Sequence, residues 1–161
     1  MSQLINAATL ALVKHFEGLY LEAYQCTAGI WTIGYGHTGL RHNDGTVRQG
    51  RKITAQEAEQ LLARDLEIFA AGVSRLLLPK VAAALNENQF GALVSFAFNL
   101  GLANLSKSTL IQRINALRWK DCPAEFLKWN RASGRILRGL TRRRQSEANL
   151  FQSKEPWLVK P

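Results

Sequence analysis

Four side chains that can carry acid–base or nucleophilic chemistry lie close together in the first quarter of the sequence. Glu17, Cys26, Thr32 and His37 supply a carboxyl group, a thiol, a hydroxyl and an imidazole. Such groups donate protons, act as anions, position water and exchange protons near neutral pH. We therefore treat positions 17–37 as the candidate site and ask which elements position these side chains.

Glu17 is predicted to lie at the carboxyl end of a helix. Apolar residues recur at helical spacing from Ile5 to Phe16, and Gly18 is placed to end the helix. The negative end of the helix dipole and aromatic neighbours both disfavour an ionised carboxylate. Glu17 is therefore expected to keep its proton, and a neutral carboxylic acid is the donor that a departing glycosidic oxygen requires.

The segment from Ile30 to His37 has the composition of a β-strand. With a period of two, one face would carry Thr32, Gly34 and Gly36, and the other Trp31, Ile33, Tyr35 and His37. Two glycines weaken a strand unless another group approaches the backbone closely. The pattern predicts a groove floored by bare backbone, suited to a sugar chain, and a bent or bulged strand is the alternative.

The remaining turn, capping and helix-ending residues predict a small β-containing lobe, a long helix and a larger helical lobe. Asp44-Gly45 indicates a hairpin turn. Thr54 and Glu57 form a capping box that opens a helix through about Leu77, before Pro79. Beyond that proline the apolar period is helical throughout, and a last basic helix is predicted to begin at Thr141.

Composition limits the class of protein. The chain has 161 residues, 47% of them hydrophobic, which fits one domain or two small lobes with a real core. The early apolar run, Ala7 to Val13, is followed by Lys14 without a small-residue cleavage pattern, and no run approaches the roughly 18 residues that span a bilayer, so neither a signal peptide nor a membrane anchor is expected. Cys26 and Cys122 are too few for a disulfide scaffold, so synthesis in a reducing cytosol is expected. The acidic residues form no ligand series, so we expect neither a metal nor another cofactor.

Basic residues are concentrated near the carboxyl terminus. The net charge is +9, and nine Lys or Arg follow from Lys128 onward against Glu147 and Glu155 alone. Such a patch attracts polyanions, whether nucleic acid, anionic lipid or an acidic cell wall. A nucleic-acid-binding module would explain the basic helix, but it would explain neither Glu17 nor the glycines of the predicted strand.

The spacing of Glu17, Cys26, Thr32 and His37 resembles that of phage-type lysozymes related to the T-even phage enzyme. The matching motifs continue along nearly the whole chain: Ile53-Thr54, Glu57-Ala58-Glu59, Asn88-Gln89-Phe90, Phe98-Asn99-Leu100-Gly101, Ser108-Thr109-Leu110, Gly139-Leu140-Thr141-Arg142-Arg143-Arg144 and Glu147. The resemblance implies an α+β, two-lobed lysozyme-like fold in one domain, 1–161. Its β-containing lobe would cover about 18–60, and a helix over about 55–77 would join it to a helical lobe of about 80–161 plus the N-terminal helix.

The resemblance also implies an activity, with a role for each residue. The chain would be a monomeric muramidase, or endolysin, that hydrolyses the β-1,4 bond between N-acetylmuramic acid and N-acetylglucosamine in peptidoglycan. Glu17 would be the general acid, Cys26 would occupy the place of the family's second carboxylate, and Thr32 would help position water. The substrate cleft would be lined by Gly34, Gly36, Phe98, Asn99 and Ser108.

Two charged contacts follow from the same resemblance. Asp65 falls on the apolar face of the long helix and needs a partner, for which His37 is the family-matched candidate in a structural ion pair. An Arg near the carboxyl terminus would reach the catalytic acid, with Arg142 as first choice and Arg143 as second. The remaining arginines of this tract, including Arg144, would face solvent and hold the enzyme on anionic wall.

Access to the wall and the reaction type leave alternatives open. The resemblance implies synthesis in the host cytoplasm without stable membrane insertion, and release through a separate membrane-pore protein of the holin type. A domain of a longer virion protein is the alternative. A lytic transglycosylase using Glu17 alone is the nearest rival activity, and a peptidase using Cys26 with His37 or His15 is a weaker one.

Overall fold

The computed structural model describes residues 5–40 and 45–160, which form two compact units. One unit is Val13–Ile68, and the other is built from the chain before Val13 and from Phe69 onward. Asp44, the first residue of the predicted hairpin turn, lies outside the described ranges. The single domain with lobes at 18–60 and 80–161 stays a prediction.

Helix α1, Ala7–Glu17, ends where the sequence predicted. The backbone amide of Gly18 donates to the Lys14 carbonyl at 3.1 Å, and Gly18 has a φ of +71°. A glycine in the left-handed region just past the last turn is a common helix terminator. Glu17 is thereby fixed as the last residue of the helix.

A short antiparallel ladder follows α1. Strand β1, Tyr20–Gln25, pairs with strand β2, Trp31–Gly34, with Tyr24 opposite Thr32 and a shift of register between Tyr20 and Tyr24. The side chain of Ala23 is buried, whereas Tyr24 is half-buried. One face of the ladder therefore packs on the core of the unit, and the other carries Tyr24 and Thr32.

The strand predicted from Ile30 to His37 is shorter than expected. Ile33 and His37 exchange both backbone hydrogen bonds, at 2.8 and 2.9 Å, so the chain turns sharply between them. Gly34 and Gly36 have φ values of +64° and +81°, a region that other residues rarely adopt. The predicted alternation beyond Gly34 is therefore wrong, and the bent strand is the structure observed.

Helix α2, Ala55–Leu76, begins with the predicted capping box. The Glu57 amide donates to the Thr54 hydroxyl at 3.1 Å, and the Thr54 amide donates to the Glu57 carboxylate at 2.6 Å. The helix ends shortly before Pro79. The core of the Val13–Ile68 unit joins its first turns to the ladder through Ala23, Ile33, Ile53, Ala58 and Leu61, with Trp31, Tyr35 and Val47 packed against them.

The other unit is mostly helical. Its helices are α3 Pro79–Ala84, α4 Glu87–Leu100, α5 Leu102–Lys107, α6 Thr109–Asn115, α7 Cys122–Leu127 and α8 Arg138–Phe151, with a 3₁₀ turn at Trp119–Asp121. A small hairpin of β3 Arg131–Ala132 and β4 Arg135–Ile136 interrupts the helical pattern predicted after residue 79. The last helix begins at Arg138 rather than Thr141.

Helix α4 lies at the centre of this unit and packs against α8. It is buried from Phe90 to Phe98, and the Phe96 ring meets Phe126 and Trp129 edge-on, at 5.7 and 5.6 Å between centroids. The predicted α+β class is confirmed. Within residues 5–40 and 45–160, the helices are too short or too polar to traverse a bilayer.

Candidate active site

Glu17 lies beside the tight turn that follows β2. Its side chain is half-exposed, and a Cβ at Gly36 would lie 3.2 Å from Glu17 Oε2. Glycine is therefore required at position 36 for two reasons, its positive φ and its closeness to the carboxylate. The turn brings bare backbone against the acid, at one of the two glycines for which the sequence predicted a close approach.

Cys26 follows β1 and sits in a setting that favours its thiolate. Hydrogen bonds from the backbone at Ile30 and at Ala28 lower the pKa of the Cys26 thiol, and the Thr32 hydroxyl adds to the effect. The same hydroxyl lies 3.1 Å from the Ile30 carbonyl oxygen. Donors aimed at sulfur stabilise its anionic form, so Cys26 ionises more readily than an ordinary thiol.

Tyr24 also belongs to this site, although the sequence analysis missed it. It stands opposite Thr32 in the ladder and two residues before Cys26. The pKa of its phenol is raised, first by burial and then by the charges of Tyr20, Glu17 and Cys26. Tyr24 is therefore within electrostatic reach of both the acid and the thiol. The period of two, counted back from Cys26, is the sequence signal that pointed to it.

The grouping of Glu17, Cys26 and Thr32 can perform one kind of acid–base chemistry. A carboxyl group, a thiol with a lowered pKa and a hydroxyl can provide a proton donor, a negative charge and a hydrogen-bonding group for water. All three belong to the Val13–Ile68 unit.

The predicted partnership of His37 and Asp65 is present in the same unit. His37 Nδ1 lies 3.1 and 3.0 Å from the two carboxylate oxygens of Asp65, and the side chains are 1% and 0% exposed. The turn at 34–36 carries His37 inward, so the pair ties β2 to α2. Its burial and its place in the core favour a structural role.

Of the cleft residues that the resemblance implied, Gly34 and Ser108 make contacts within the fold. A Cβ at Gly34 would meet Ala58 Cβ at 3.4 Å, so its open side faces α2 rather than a bare groove. Ser108 is 2% exposed, and its hydroxyl accepts from the Ile111 amide and donates to the Leu105 carbonyl, which makes it the cap of α6. Substrate contacts at these two positions stay predictions without support from their surroundings.

Phe98 and Asn99 lie near the end of α4, in the unit that contains Phe69. Phe98 is buried, and its ring centroid is 5.2 Å from that of Phe69. Asn99 is exposed, and its Oδ1 accepts a hydrogen bond from Arg144 at 2.9 Å. Asn99 therefore keeps an accessible amide, and its role in substrate binding stays a prediction.

Two arginines of α8, Arg143 and Arg144, are buried rather than exposed to solvent. Arg144 is 0% exposed and Arg143 is 3% exposed, and both contact the buried carboxylate of Glu147. Arg144 therefore belongs to the core of its unit, and its predicted role in wall binding is wrong. Arg142 is half-buried, and the pairing of Arg142 or Arg143 with Glu17 stays a prediction.

Comparison with known families identifies the family of this chain. The phage lysozyme family model matches residues 14–147, which include Glu17, Cys26, Thr32, His37, Asp65 and Glu147. The chain belongs to the phage lysozyme family. The predicted membership is therefore confirmed.

Individual relatives agree with the family. The chain is 42% identical to an endolysin of Bacillus phage B103 over 153 residues, which are 94% of this chain and 55% of that endolysin. It is 41% identical to an endolysin of Acyrthosiphon pisum secondary endosymbiont phage 1, over 92% of this chain and 98% of the relative. The chain thus spans about half of the first relative.

The likeness extends to solved structures. The muramidase domain of SpmX from Asticaccaulis excentricus superimposes with a TM-score of 0.80 at 37% identity, covering 92% of this chain and 97% of that domain. The predicted lysozyme-like fold is confirmed by this likeness.

The two thiols of this phage lysozyme are expected to differ sharply in reactivity. Cys26 is half-exposed with a lowered pKa, whereas burial raises the pKa of the Cys122 thiol to about 12. Iodoacetamide at neutral pH should therefore alkylate Cys26 and spare Cys122, as peptide mass spectrometry would measure. Unfolding the protein in urea is the control, since both thiols should then react. Equal labelling of both thiols in the folded protein would contradict this environment for Cys26.

Breaking the buried pair of this phage lysozyme is expected to cost stability. His37→Asn removes the imidazole that faces Asp65, which leaves a buried carboxylate less well compensated. The free energy of unfolding should fall by about 1–3 kcal/mol in urea denaturation. The exposed His15→Asn is the matched control, with an expected change of about 0.5 kcal/mol or less. Similar losses in both variants would show that the His37–Asp65 contact adds little.

Proposed function

We propose that this phage lysozyme is a muramidase that hydrolyses the β-1,4 bond between N-acetylmuramic acid and N-acetylglucosamine in peptidoglycan. The observation that carries the proposal is the setting of Cys26, where backbone hydrogen bonds and the Thr32 hydroxyl lower the pKa of the thiol, in the unit that also contains Glu17. A negative charge at this point replaces the second carboxylate that glycosidases commonly use. Membership of the phage lysozyme family and the likeness to a muramidase domain support the choice of substrate.

In the proposed first half of the reaction, Glu17 donates its proton to the glycosidic oxygen. The bond between that oxygen and the anomeric carbon breaks, and the departing sugar leaves as an alcohol. Positive charge then develops on the ring carbon and ring oxygen of the muramic acid residue. The Cys26 thiolate is the anion that stabilises this charge, because its backbone donors hold the negative form.

In the second half, water attacks the anomeric carbon. The Thr32 hydroxyl holds the water by a hydrogen bond, and the thiolate accepts the proton that the water loses as the new carbon–oxygen bond forms. The products are two glycan chains, one of which ends in a reducing muramic acid. Ionised Glu17 and the protonated thiol then exchange protons with solvent and restore the starting state.

Mass analysis of digested peptidoglycan tests the reaction type. Hydrolysis yields a reducing muramic acid end. Each cleavage adds the elements of one water molecule, so the two product chains together are heavier than the uncleaved glycan by two hydrogens and one oxygen. A 1,6-anhydro end would instead identify a lytic transglycosylase, which uses Glu17 without activated water. Newly exposed amines would identify a peptidase. Either of the last two results would overturn the proposed hydrolysis.

The configuration of the first product tests the role of Cys26. Water activated by the thiolate attacks from the face opposite the leaving group, so the fresh product should be the α-anomer. Proton NMR of a short digestion, recorded before mutarotation, measures it. A β-anomer would show that water enters from the same face, and that the thiolate does not act as the base.

Delivery to the wall is a separate part of the proposal. We propose that the enzyme accumulates in the host cytoplasm, that a holin-type membrane pore admits it to the wall, and that wall cleavage lyses the cell. The test is expression in a bacterium with and without a co-expressed pore protein, with culture turbidity as the readout. Lysis only with the pore is the expected result. Lysis without any pore would overturn this route and indicate export by the chain or its host.

A further inference from the structure

The face of the ladder that carries Thr32 is shared by two other polar side chains. Residues opposite each other in an antiparallel pair point to the same side, with Cβ atoms about 4.5–5.5 Å apart. Tyr24 pairs with Thr32, and Cys26, just past the end of β1, continues the ladder because its amide donates to the Ile30 carbonyl at 3.0 Å, which puts it on the same side as Tyr24. Tyr24, Cys26 and Thr32 therefore form one continuous row of side chains.

The ring of Tyr24 is held in place within this row. Its centroid lies 4.5 Å from that of Tyr20, with the two rings tilted by 42°. Aromatic pairs at this separation favour fixed relative orientations. Tyr24 is half-buried, whereas its neighbours along β1 are buried at Ala23 and exposed at Gln25. The contact with Tyr20 and the position opposite Thr32 therefore restrict where the ring can lie.

The Thr32 hydroxyl has two acceptors within reach. It lies 3.1 Å from the Ile30 carbonyl oxygen, and it is close enough to the Cys26 sulfur to help lower the pKa of that thiol. A hydroxyl has one proton, so a change of the Thr32 rotamer changes how well the thiolate is stabilised. Thr32 is β-branched, so a neighbour that packs against it restricts its rotamer. The neighbour that stands opposite Thr32 is Tyr24.

We propose that Tyr24 is a positioning residue whose ring keeps the Thr32 hydroxyl directed at the Cys26 sulfur. The ring, not the phenol oxygen, performs this task, because cross-strand packing acts through the ring. The charges that act on Tyr24 come from Glu17 at the end of α1, Tyr20 on its own strand, and Cys26. Burial first and then these charges raise the pKa of the Tyr24 phenol above its ordinary value, so the phenol is neutral near neutral pH. The consequence for catalysis rests on the proposed muramidase function, but the effect on the thiol does not.

The test measures the rate of Cys26 alkylation by iodoacetamide as a function of pH, by peptide mass spectrometry. Tyr24→Ala should lower the alkylation rate at neutral pH by about threefold or more, because less of the thiol is ionised. Tyr24→Phe keeps the ring and should retain the wild-type pH profile. Circular dichroism checks folding, and if Tyr24→Ala unfolds, Tyr24→Leu takes its place in the comparison. An unchanged profile in the ring-deleted variant, or an equal shift in Tyr24→Phe, would overturn the proposal.

A double-mutant cycle identifies the route of the effect. Thr32→Val removes the hydroxyl and should itself slow alkylation at neutral pH. If Tyr24 acts through Thr32, the double variant Tyr24→Ala/Thr32→Val should react no more slowly than Thr32→Val alone. Additive losses would show that Tyr24 acts on the thiol by another path and would overturn the positioning role.

Wall digestion separates this inference from the proposed function. If the proposed function holds, Tyr24→Ala should lower kcat and displace the pH–rate profile in the same direction as the alkylation profile, with a smaller change in KM. If the wild-type protein gives no reducing muramic acid ends, the proposed function fails. The alkylation profiles would still decide the role of Tyr24. A normal pH–rate profile beside a displaced alkylation profile would overturn the link between Tyr24 and catalysis.

Discussion

Replacing Glu17 by Gln is expected to lower the rate of peptidoglycan cleavage by about 10²–10⁴-fold, the usual contribution of a positioned proton donor. The amide has nearly the same shape as the carboxylic acid, but it cannot protonate the departing sugar oxygen. The fold should persist, because Glu17 is half-exposed and ends α1, where a negative charge is unfavourable. Release of reducing ends from purified wall measures the rate, and thermal unfolding measures stability.

The matched control for this variant is Glu22→Gln on β1. The side chain of Glu22 is 61% exposed and pairs with Lys52 on the surface. Such surface pairs contribute little, so the control should cleave wall at close to the wild-type rate. A folded Glu17→Gln protein with near-normal cleavage would exclude Glu17 as the acid and with it the proposed mechanism.

Replacing Glu147 by Gln is expected to produce the largest loss of stability, about 3–5 kcal/mol in the free energy of unfolding. The carboxylate is 0% exposed and lies 2.9 Å from Arg144 Nε and 3.3 Å from Arg143 Nε. It also accepts from the Ser95 hydroxyl at 2.7 Å. An amide would leave two buried guanidinium groups without their counter-charge, which is a heavy penalty in a low-dielectric interior.

Urea denaturation of Glu147→Gln beside Glu155→Gln tests this expectation. Glu155 is exposed and near the same end of the chain, so its replacement should change stability by about 0.5 kcal/mol or less. If Glu147→Gln lost no more stability than the control, the two arginines would have to find other compensation. The cluster would then contribute little to holding α8 on α4.

Local signals were enough to predict the ends of several helices. Gly18 ends α1, and the reciprocal bonds of Thr54 and Glu57 open α2, because both features depend on residues within one turn of each other. The motif spacing also predicted that His37 and Asp65 meet. That contact spans 28 residues, and the resemblance supplied it, since no local rule does.

The arginines of α8 show where local reasoning fails. A run of three arginines suggests a solvated basic face, yet Arg143 and Arg144 are buried beside Glu147. Their spacing of three and four residues from Glu147 is the signal that was available. The other half of the cluster, Ser95 on α4, lies far away in sequence, so only packing of two helices reveals it.

The prediction of the strand was wrong, and that of the site incomplete, for a different reason. Alternation over residues 30–37 was equally compatible with a long strand and with a turn, because glycine accepts both extended and left-handed backbone. The positive φ values of Gly34 and Gly36 decided for the turn. Tyr24 was overlooked because aromatic residues are common in strands, and its importance depends on the residue that faces it.

The close approach of Gly36 to Glu17 has a consequence for laboratory evolution of this enzyme. A library randomised at position 36 and selected for lysis should return glycine almost alone, since any Cβ would crowd the acid and strain the turn. Gly29 also has a positive φ, but nothing lies within 4 Å of its missing Cβ. Asparagine or aspartate should survive there. Diversity aimed at new wall specificities is therefore better spent on the loop around residue 29 than on the turn at 34–36.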